Sequence, residues 1–140
     1  MNISYADVGI TPLLYRAAHK CNQLQDEHLK KFEISSRQAV ILALIQYIGD
    51  GAINQKTLSK MMNVKESSVS SIVKTMIKNE VISKKQSKTD GRNYILTITE
   101  KGKQICNKLK NSYEEFEDVF YKNFTDEEKK IFKNLLIKLI

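Results

Sequence analysis

The stretch Leu58-Ser-Lys-Met-Met-Asn-Val-Lys-Glu-Ser-Ser-Val-Ser-Ser-Ile-Val-Lys-Thr-Met76 decides how this chain is read. It contains two short helical patterns separated by a break at Val64 and Lys65. Asn54 is placed to cap the first, which carries Leu58, Met61 and Met62. The second spans 66–79 and turns Val69, Ile72, Val73 and Met76 inward at spacings of three and four. Ser67, Ser68, Ser70, Ser71 and Lys74 fall on its other faces. Serine is a poor helix former, and a purely structural helix would more often place Ala, Glu or Lys there. Short hydroxyls exchange hydrogen bonds with bases and phosphates, and the open amides of a helix start attract phosphate oxygens. The plainer reading is a soluble serine-rich helix in a protein-binding domain.

The residues that follow favour the first reading. Val81–Gln86 and Tyr94–Thr99 read as strands flanking Ser87-Lys-Thr-Asp-Gly-Arg-Asn93, where Asp90-Gly91 signals a tight turn. The hairpin carries Lys84, Lys85, Lys88 and Arg92. An arginine there forks onto a phosphate or enters a narrow minor groove. DNA would repel Asp90, so Asp90 is expected to stabilise the turn or to hold Arg92. Two short helices and a hairpin form a winged helix-turn-helix, whose second helix enters the major groove. The expected DNA-facing set is Gln55, Lys65, Ser67, Ser68, Ser70, Ser71, Lys74, Lys84, Lys85, Lys88, Asp90, Gly91 and Arg92.

Upstream, Thr11-Pro12 reads as a helix start. Leu14, Ala17, Cys21, Leu24, His28 and Phe32 then form one apolar stripe. Ser35 with Gln38 makes a capping box for a helix from Ser36 to about Ile48. Its segment Ala39–Ile45 is apolar nearly all round and is expected to be central, and Gly49-Asp50-Gly51 ends it. Downstream, Thr99 is placed to cap a long helix carrying Ile105, Leu109, Tyr113, Phe116, Phe120 and Phe124. Thr125 with Glu128 opens a last helix bearing Ile131, Phe132, Leu135, Leu136, Leu139 and Ile140.

The expected fold is mainly α, an α+β winged helix. It has six helices and a two- or three-stranded β-wing, with the terminal helices forming a dimerisation domain. Residues 1–34 give the N-terminal helix, 35–99 the winged helix-turn-helix and 100–140 the C-terminal dimerisation helices. The run Leu135-Leu-Ile-Lys-Leu-Ile140 is too apolar to end in water. It is expected to bury Phe132, Leu135, Leu136, Leu139 and Ile140 against a partner chain, the alternative being packing within the chain.

Composition narrows the function. The length of 140 residues suits one domain of about 100–200 residues. No apolar run approaches the roughly 20 residues of a membrane span, and no signal-peptide pattern opens the chain, so a cytoplasmic location is expected. The net charge is +7, and its distribution is uneven. Residues 1–53 and 104–140 are each neutral, whereas 54–103 hold eleven basic and four acidic side chains, the whole excess. A local basic excess fits a polyanion partner, since it releases counterions from phosphates.

These residues resemble the MarR family of bacterial winged-helix regulators over essentially the full length. Leu58–Met76 is similar to that family's helix-turn-helix. Asp90-Gly-Arg92, Leu96-Thr-Ile-Thr99 and Lys101-Gly102 are similar to its wing signature, with Asp90, Arg92, Thr99 and Gly102 at the family spacing. The resemblance implies one MarR-type domain and a homodimer with interlocked terminal helices. It also implies two winged units spaced for a pseudo-palindromic operator, and a ligand-responsive repressor. The chain departs from the family pattern at Ser71, where members often carry Arg. It departs again at Asn79-Glu80, where many place Gly; Asn79 is expected to take the left-handed conformation instead.

The resemblance also implies release of DNA by a small aromatic effector, for which Tyr15, His19, Tyr47 and Tyr113 are candidate pocket residues. Some members sense oxidants through a cysteine in the first helix, and Cys21 offers that alternative. Its place on the apolar stripe argues for a small hydrophobe. A second alternative is a helical interaction module whose basic middle binds an acidic partner. No phosphate loop or nucleophile-elbow pattern is present, and two histidines without clustered cysteines argue against a metal site. Neither an enzyme nor a cofactor is expected.

Overall fold

The caps read from the sequence close as hydrogen bonds in the structure, a computed structural model that describes residues 4–140. Ser35 Oγ accepts the Gln38 amide at 3.3 Å while Gln38 Oε1 accepts the Ser35 amide at 3.0 Å. Asn54 Oδ1 accepts from Thr57 at 2.8 Å, and Thr99 Oγ1 from Gly102 at 3.0 Å. Thr125 and Glu128 close the second reciprocal box at 3.1 and 2.8 Å. Each satisfies a first-turn amide that the helix cannot satisfy itself.

The elements run α1 (Ile10–Leu29), a 3-10 turn (Lys30–Phe32), α2 (Ser36–Ile48), α3 (Gln55–Met62), α4 (Glu66–Lys78), β1 (Ile82–Gln86), β2 (Tyr94–Ile98), α5 (Glu100–Phe120) and α6 (Asp126–Ile137). Among the described residues, six α-helices and a two-stranded antiparallel sheet bear out the winged-helix expectation. The strands register Ile82 with Ile98 and Gln86 with Tyr94. The third strand is reduced to a single bridge, Ile53 with Leu96. One step along, the carboxylate of Asp50 accepts the Ile98 amide at 2.8 Å, replacing the carbonyl that a longer strand would offer.

The chain divides into two compact units, Met1–Leu109 and Lys110–Ile140. The core of the first joins Ile41, Leu42 and Ile45 of α2 to Leu58 of α3 and to Val69, Val73 and Met76 of α4. Val81, Ile82, Leu96 and Ile98 around the hairpin and Ile105 of α5 join it, with Leu29, Ile34, Ile53 and Cys106. In the second unit Tyr121, Phe124 and Phe132 meet at ring separations of 5.5 to 6.4 Å around the turn that leads into α6.

Several local expectations are corrected. Helix α1 begins at Ile10 behind Gly9, with no side-chain cap. Thr11 and Pro12 lie inside its first turn, where an amide lacks an intrahelical partner and proline costs nothing. Only one face of the Ala39–Ile45 segment of α2 is buried: Val40 and Ala43 are exposed. Met61 of α3 is exposed too. Asn79 keeps φ at −84°, and Glu80 takes the left-handed conformation at φ 59°. The reason is the frame of the helix end. Glu80 donates to Ile77 O and Val81 to Met76 O, both at 2.9 Å. This reversal requires the left-handed residue one place after Asn79. Helix α5 stops at Phe120, so Phe124 lies in the turn, and α6 stops at Ile137, leaving Leu139 and Ile140 beyond it.

The wing signature has a mechanical meaning. Thr99 Oγ1 lies within hydrogen-bond reach of the carbonyls of Glu80 and Val81, the latter at 2.9 Å, while it caps α5. Lys101 Nζ donates to Asn79 O at 2.9 Å. A Cβ on Gly102 would collide with the Val81 carbonyl and meet Ile98 Cγ2 at 2.7 Å. Glycine therefore permits the start of α5 to lie directly on the turn that ends α4.

Candidate nucleic-acid interface

Helix α4 is held by its apolar side: Val69, Val73 and Met76 are buried and Ile72 half-buried. The opposite side is open. Ser67, Ser71 and Lys74 are exposed, and Ser68 and Ser70 are half-buried. Lys65 stands at the helix start without a side-chain cap bond, and its backbone carbonyl accepts the Ser68 amide at 3.0 Å. Glu66 occupies the first helical position, where it complements the helix dipole and opposes a phosphate. The hydroxyl-lined surface is thus presented by a helix whose other face is fixed in the core.

The hairpin tip is ordered by its own side chains. Asp90 Oδ1 accepts the Arg92 amide at 3.0 Å, and Oδ2 accepts from Asn93 Nδ2 at 2.7 Å. Ser87 Oγ accepts the amides of Thr89 and Asp90, both at 3.3 Å, and the Ser87 amide donates to Asn93 O at 2.8 Å. Gln86 Nε2 donates to Gly91 O. Of the two roles expected of Asp90, the structure supports the first: the carboxylate shapes the turn. Among the described residues it makes no ion pair with the Arg92 guanidinium, which is exposed with its charge unneutralised.

Lys84 and Lys85 are exposed on β1, and Lys88 and Gly91 in the loop. The structure brings together Gln55 and Lys84, which lie far apart in sequence, with Nζ 3.5 Å from Oε1. The Lys84 ammonium also stands 4.9 Å from the centre of the Tyr94 ring. Sequence reasoning treated Tyr94 only as a strand residue. Its register opposite Gln86, diagonal to Lys84, was the available signal. Of the basic excess, Lys101 is engaged within the fold.

The candidate effector residues all lie at the surface of their own unit. Tyr15, His19 and Tyr47 are exposed, and Tyr113, in the second unit, is exposed as well. A cleft of about 360 Å³ in the first unit is lined by Phe32, Glu33, Ile34, Asn79, Val81, Lys101 and Ile105. Cys21 is half-buried, and burial pushes its thiol pKa up. Of the expected dimer residues, Phe132 and Leu136 are half-buried, and Leu135, Leu139 and Ile140 are exposed. Among the described residues no His, Cys, Asp or Glu cluster could hold a metal ion, and no helix is long and apolar enough to cross a membrane.

A helix-turn-helix with an open hydroxyl-lined second helix, followed by a basic hairpin, defines a winged-helix transcriptional regulator. The family described as transcriptional regulator SarA/Rot matches residues 23–109, and the chain belongs to that family. Its members are regulators and not enzymes. An uncharacterised HTH-type transcriptional regulator of Bacillus subtilis (strain 168), YsmB, is 28% identical over 113 residues, 81% of this chain and 76% of its own. A MarR protein from Peptoclostridium difficile is 28% identical, with a TM-score of 0.82 over 99% of this chain and 90% of its own. A mutant of E. coli MarR complexed with operator DNA superposes with a TM-score of 0.87 at 18% identity, over 100% and 99% of the two chains. The S. aureus MepR–DNA complex gives 0.84 at 19% identity, over 95% and 97%. The resemblance to MarR proteins drawn from the wing signature is borne out.

Proposed function

We propose that the chain acts as a homodimer on double-stranded DNA, reading a pseudo-palindromic operator as a repressor in the cytoplasm. Each α4 enters a major groove, with Ser67, Ser68, Ser70 and Ser71 towards the base edges and Lys65 and Lys74 towards phosphates. Arg92, with Lys84, Lys85 and Lys88, reaches backbone or minor groove. One observation carries this reading. The Asp90 carboxylate is consumed by the turn, so an ordered hairpin presents an unneutralised arginine next to an open recognition helix. Two of the structural relatives above are solved with DNA, which supports the same reading. Selection from random duplexes tests it: an enriched sequence bound with a steep fall in affinity as salt rises is expected. A pool that enriches nothing removes it.

The dimer rests on apolar side chains that each unit leaves open. Ile10 is 86% exposed on α1, and Leu139 is 69% exposed after α6. Residues 1–34 and 100–140 are the proposed dimerisation segments. A second copy of the chain is the proposed cover for these exposed apolar side chains. Response to a small aromatic effector belongs to the same proposal. The cleft beside Phe32 and Val81 falls within the size range of small-molecule sites. Equilibrium dialysis with aromatic carboxylates, read alongside DNA affinity, tests that part. The oxidant-sensing alternative is opposed by the raised thiol of Cys21, since the thiolate is the reactive form.

A further inference from the structure

We propose that Tyr94 and Gln55 are positioning residues that fix the Lys84 ammonium as a backbone-phosphate contact shared by the wing and the first helix of the helix-turn-helix. The inference rests on the DNA-binding reading above and deepens it. Lys84 pairs with Leu96 and Gln86 with Tyr94, so Lys84 and Tyr94 project from one face of the hairpin as diagonal neighbours. The inner part of that face, Ile82, Leu96 and Ile98, is buried; Tyr94 at its outer end is 48% exposed. Its ring receives the ammonium at 4.9 Å, within the range of a cation over an aromatic face. Gln55 Oε1, on the first residue of α3, stands 3.5 Å from the same nitrogen.

This arrangement sets Lys84 apart from its neighbours. Among the described residues, Lys85, Lys88 and Arg92 have no side-chain partner, whereas Lys84 is held from two elements. An ammonium has three donors; Gln55 uses one and leaves the others for phosphate oxygens. The first helix of such a pair crosses the DNA backbone, so a cation tied to the start of α3 lies where a phosphate passes. Holding it beforehand reduces the side-chain entropy lost on binding.

The test is a mutant cycle on the duplex obtained by selection, read as affinity across a salt series. Lys84→Ala is expected to weaken binding about tenfold and lower the salt slope by about one. Tyr94→Leu is expected to weaken it roughly threefold to fivefold, by analogy with an exposed cation–ring contact. Tyr94→Phe keeps the ring and is expected to bind as the wild type does. In the Lys84→Ala background, Tyr94→Leu should change nothing further. Thermal unfolding accompanies each variant; if Tyr94→Leu destabilises the fold, Gln55→Ala carries the same comparison from the surface of α3. Additive losses, wild-type affinity of Tyr94→Leu with Gln55→Ala, or failure of Tyr94→Phe to retain affinity would each overturn the inference while leaving DNA binding intact. A wild-type chain that binds no duplex overturns both readings.

Discussion

Gly102 sits so close to Val81 that a single added carbon would enter the space of the Val81 carbonyl oxygen. The neighbour is backbone, which cannot swing aside as a long side chain can. Gly102→Ala must therefore push the start of α5 away from the turn after α4. The expected cost is about 1–3 kcal/mol, the range for overpacking a fitted contact. Urea unfolding measures it, and an unchanged midpoint would contradict the close approach.

Thr99 serves the same junction through its hydroxyl, which caps α5 and donates to the turn. Thr99→Val keeps the shape and removes the hydroxyl. A loss of about 1–2 kcal/mol is expected from the missing cap and hydrogen bond together. Thr99→Ser should restore most of it. If valine and serine unfold alike, packing of the methyl group dominates here.

Arg92 and Asp90 make opposed predictions under two views of the wing. Arg92→Ala should weaken binding to all duplexes and lower the salt slope by about one. If Asp90 mattered only as a negative charge, Asp90→Ala would tighten binding. The turn geometry predicts the reverse: removing the acceptor of Arg92 N and Asn93 Nδ2 disorders the tip and weakens binding. Gel-shift titrations of the two variants side by side decide the matter.

A chain cut before Thr125 removes α6 and the apolar residues after it. Sedimentation should show a monomer, with DNA affinity lost for want of the second half-site contact. A truncated chain that stays dimeric would assign the interface to other segments.

Burial raises the thiol pKa of both Cys21 and Cys106. The folded state then holds the thiol proton more tightly than the unfolded chain. Any stability from this linkage is fully present below the ordinary thiol pKa and is lost as pH rises through the higher folded value. Alkylation by iodoacetamide at mildly alkaline pH should be slower in the native protein than in urea. Oxidant should leave DNA binding of Cys21→Ser and of the wild type alike. Rapid native alkylation of Cys21 would revive the oxidant-sensing alternative.

What could be read in advance followed from range along the chain. Ser35 with Gln38, Asn54 with Thr57 and Thr125 with Glu128 act across three residues, so their caps and the helix order were visible in the sequence. Asp50 serves Ile98 across 48 residues and Gln55 meets Lys84 across 29, distances at which spacing carries no signal. Periodicity marked Val40, Tyr47 and Met61 as apolar. It could not show how far a neighbour covers them: among the described residues Val40 and Met61 are only partly covered and Tyr47 hardly at all. The helix end after Lys78 was misplaced by one residue because asparagine tolerates the left-handed conformation better than glutamate. The hydrogen-bond frame nevertheless assigned that position to Glu80.

The self-satisfied hairpin tip has a kinetic consequence. Ser87, Asp90 and Gln86 already meet the turn amides and the Gly91 carbonyl, so DNA is not needed to order the wing. Encounter then has no folding step to wait for. Its speed is governed by long-range attraction between the basic surface and the duplex, and added salt should slow arrival. Departure, by contrast, should depend on which base pairs α4 has found.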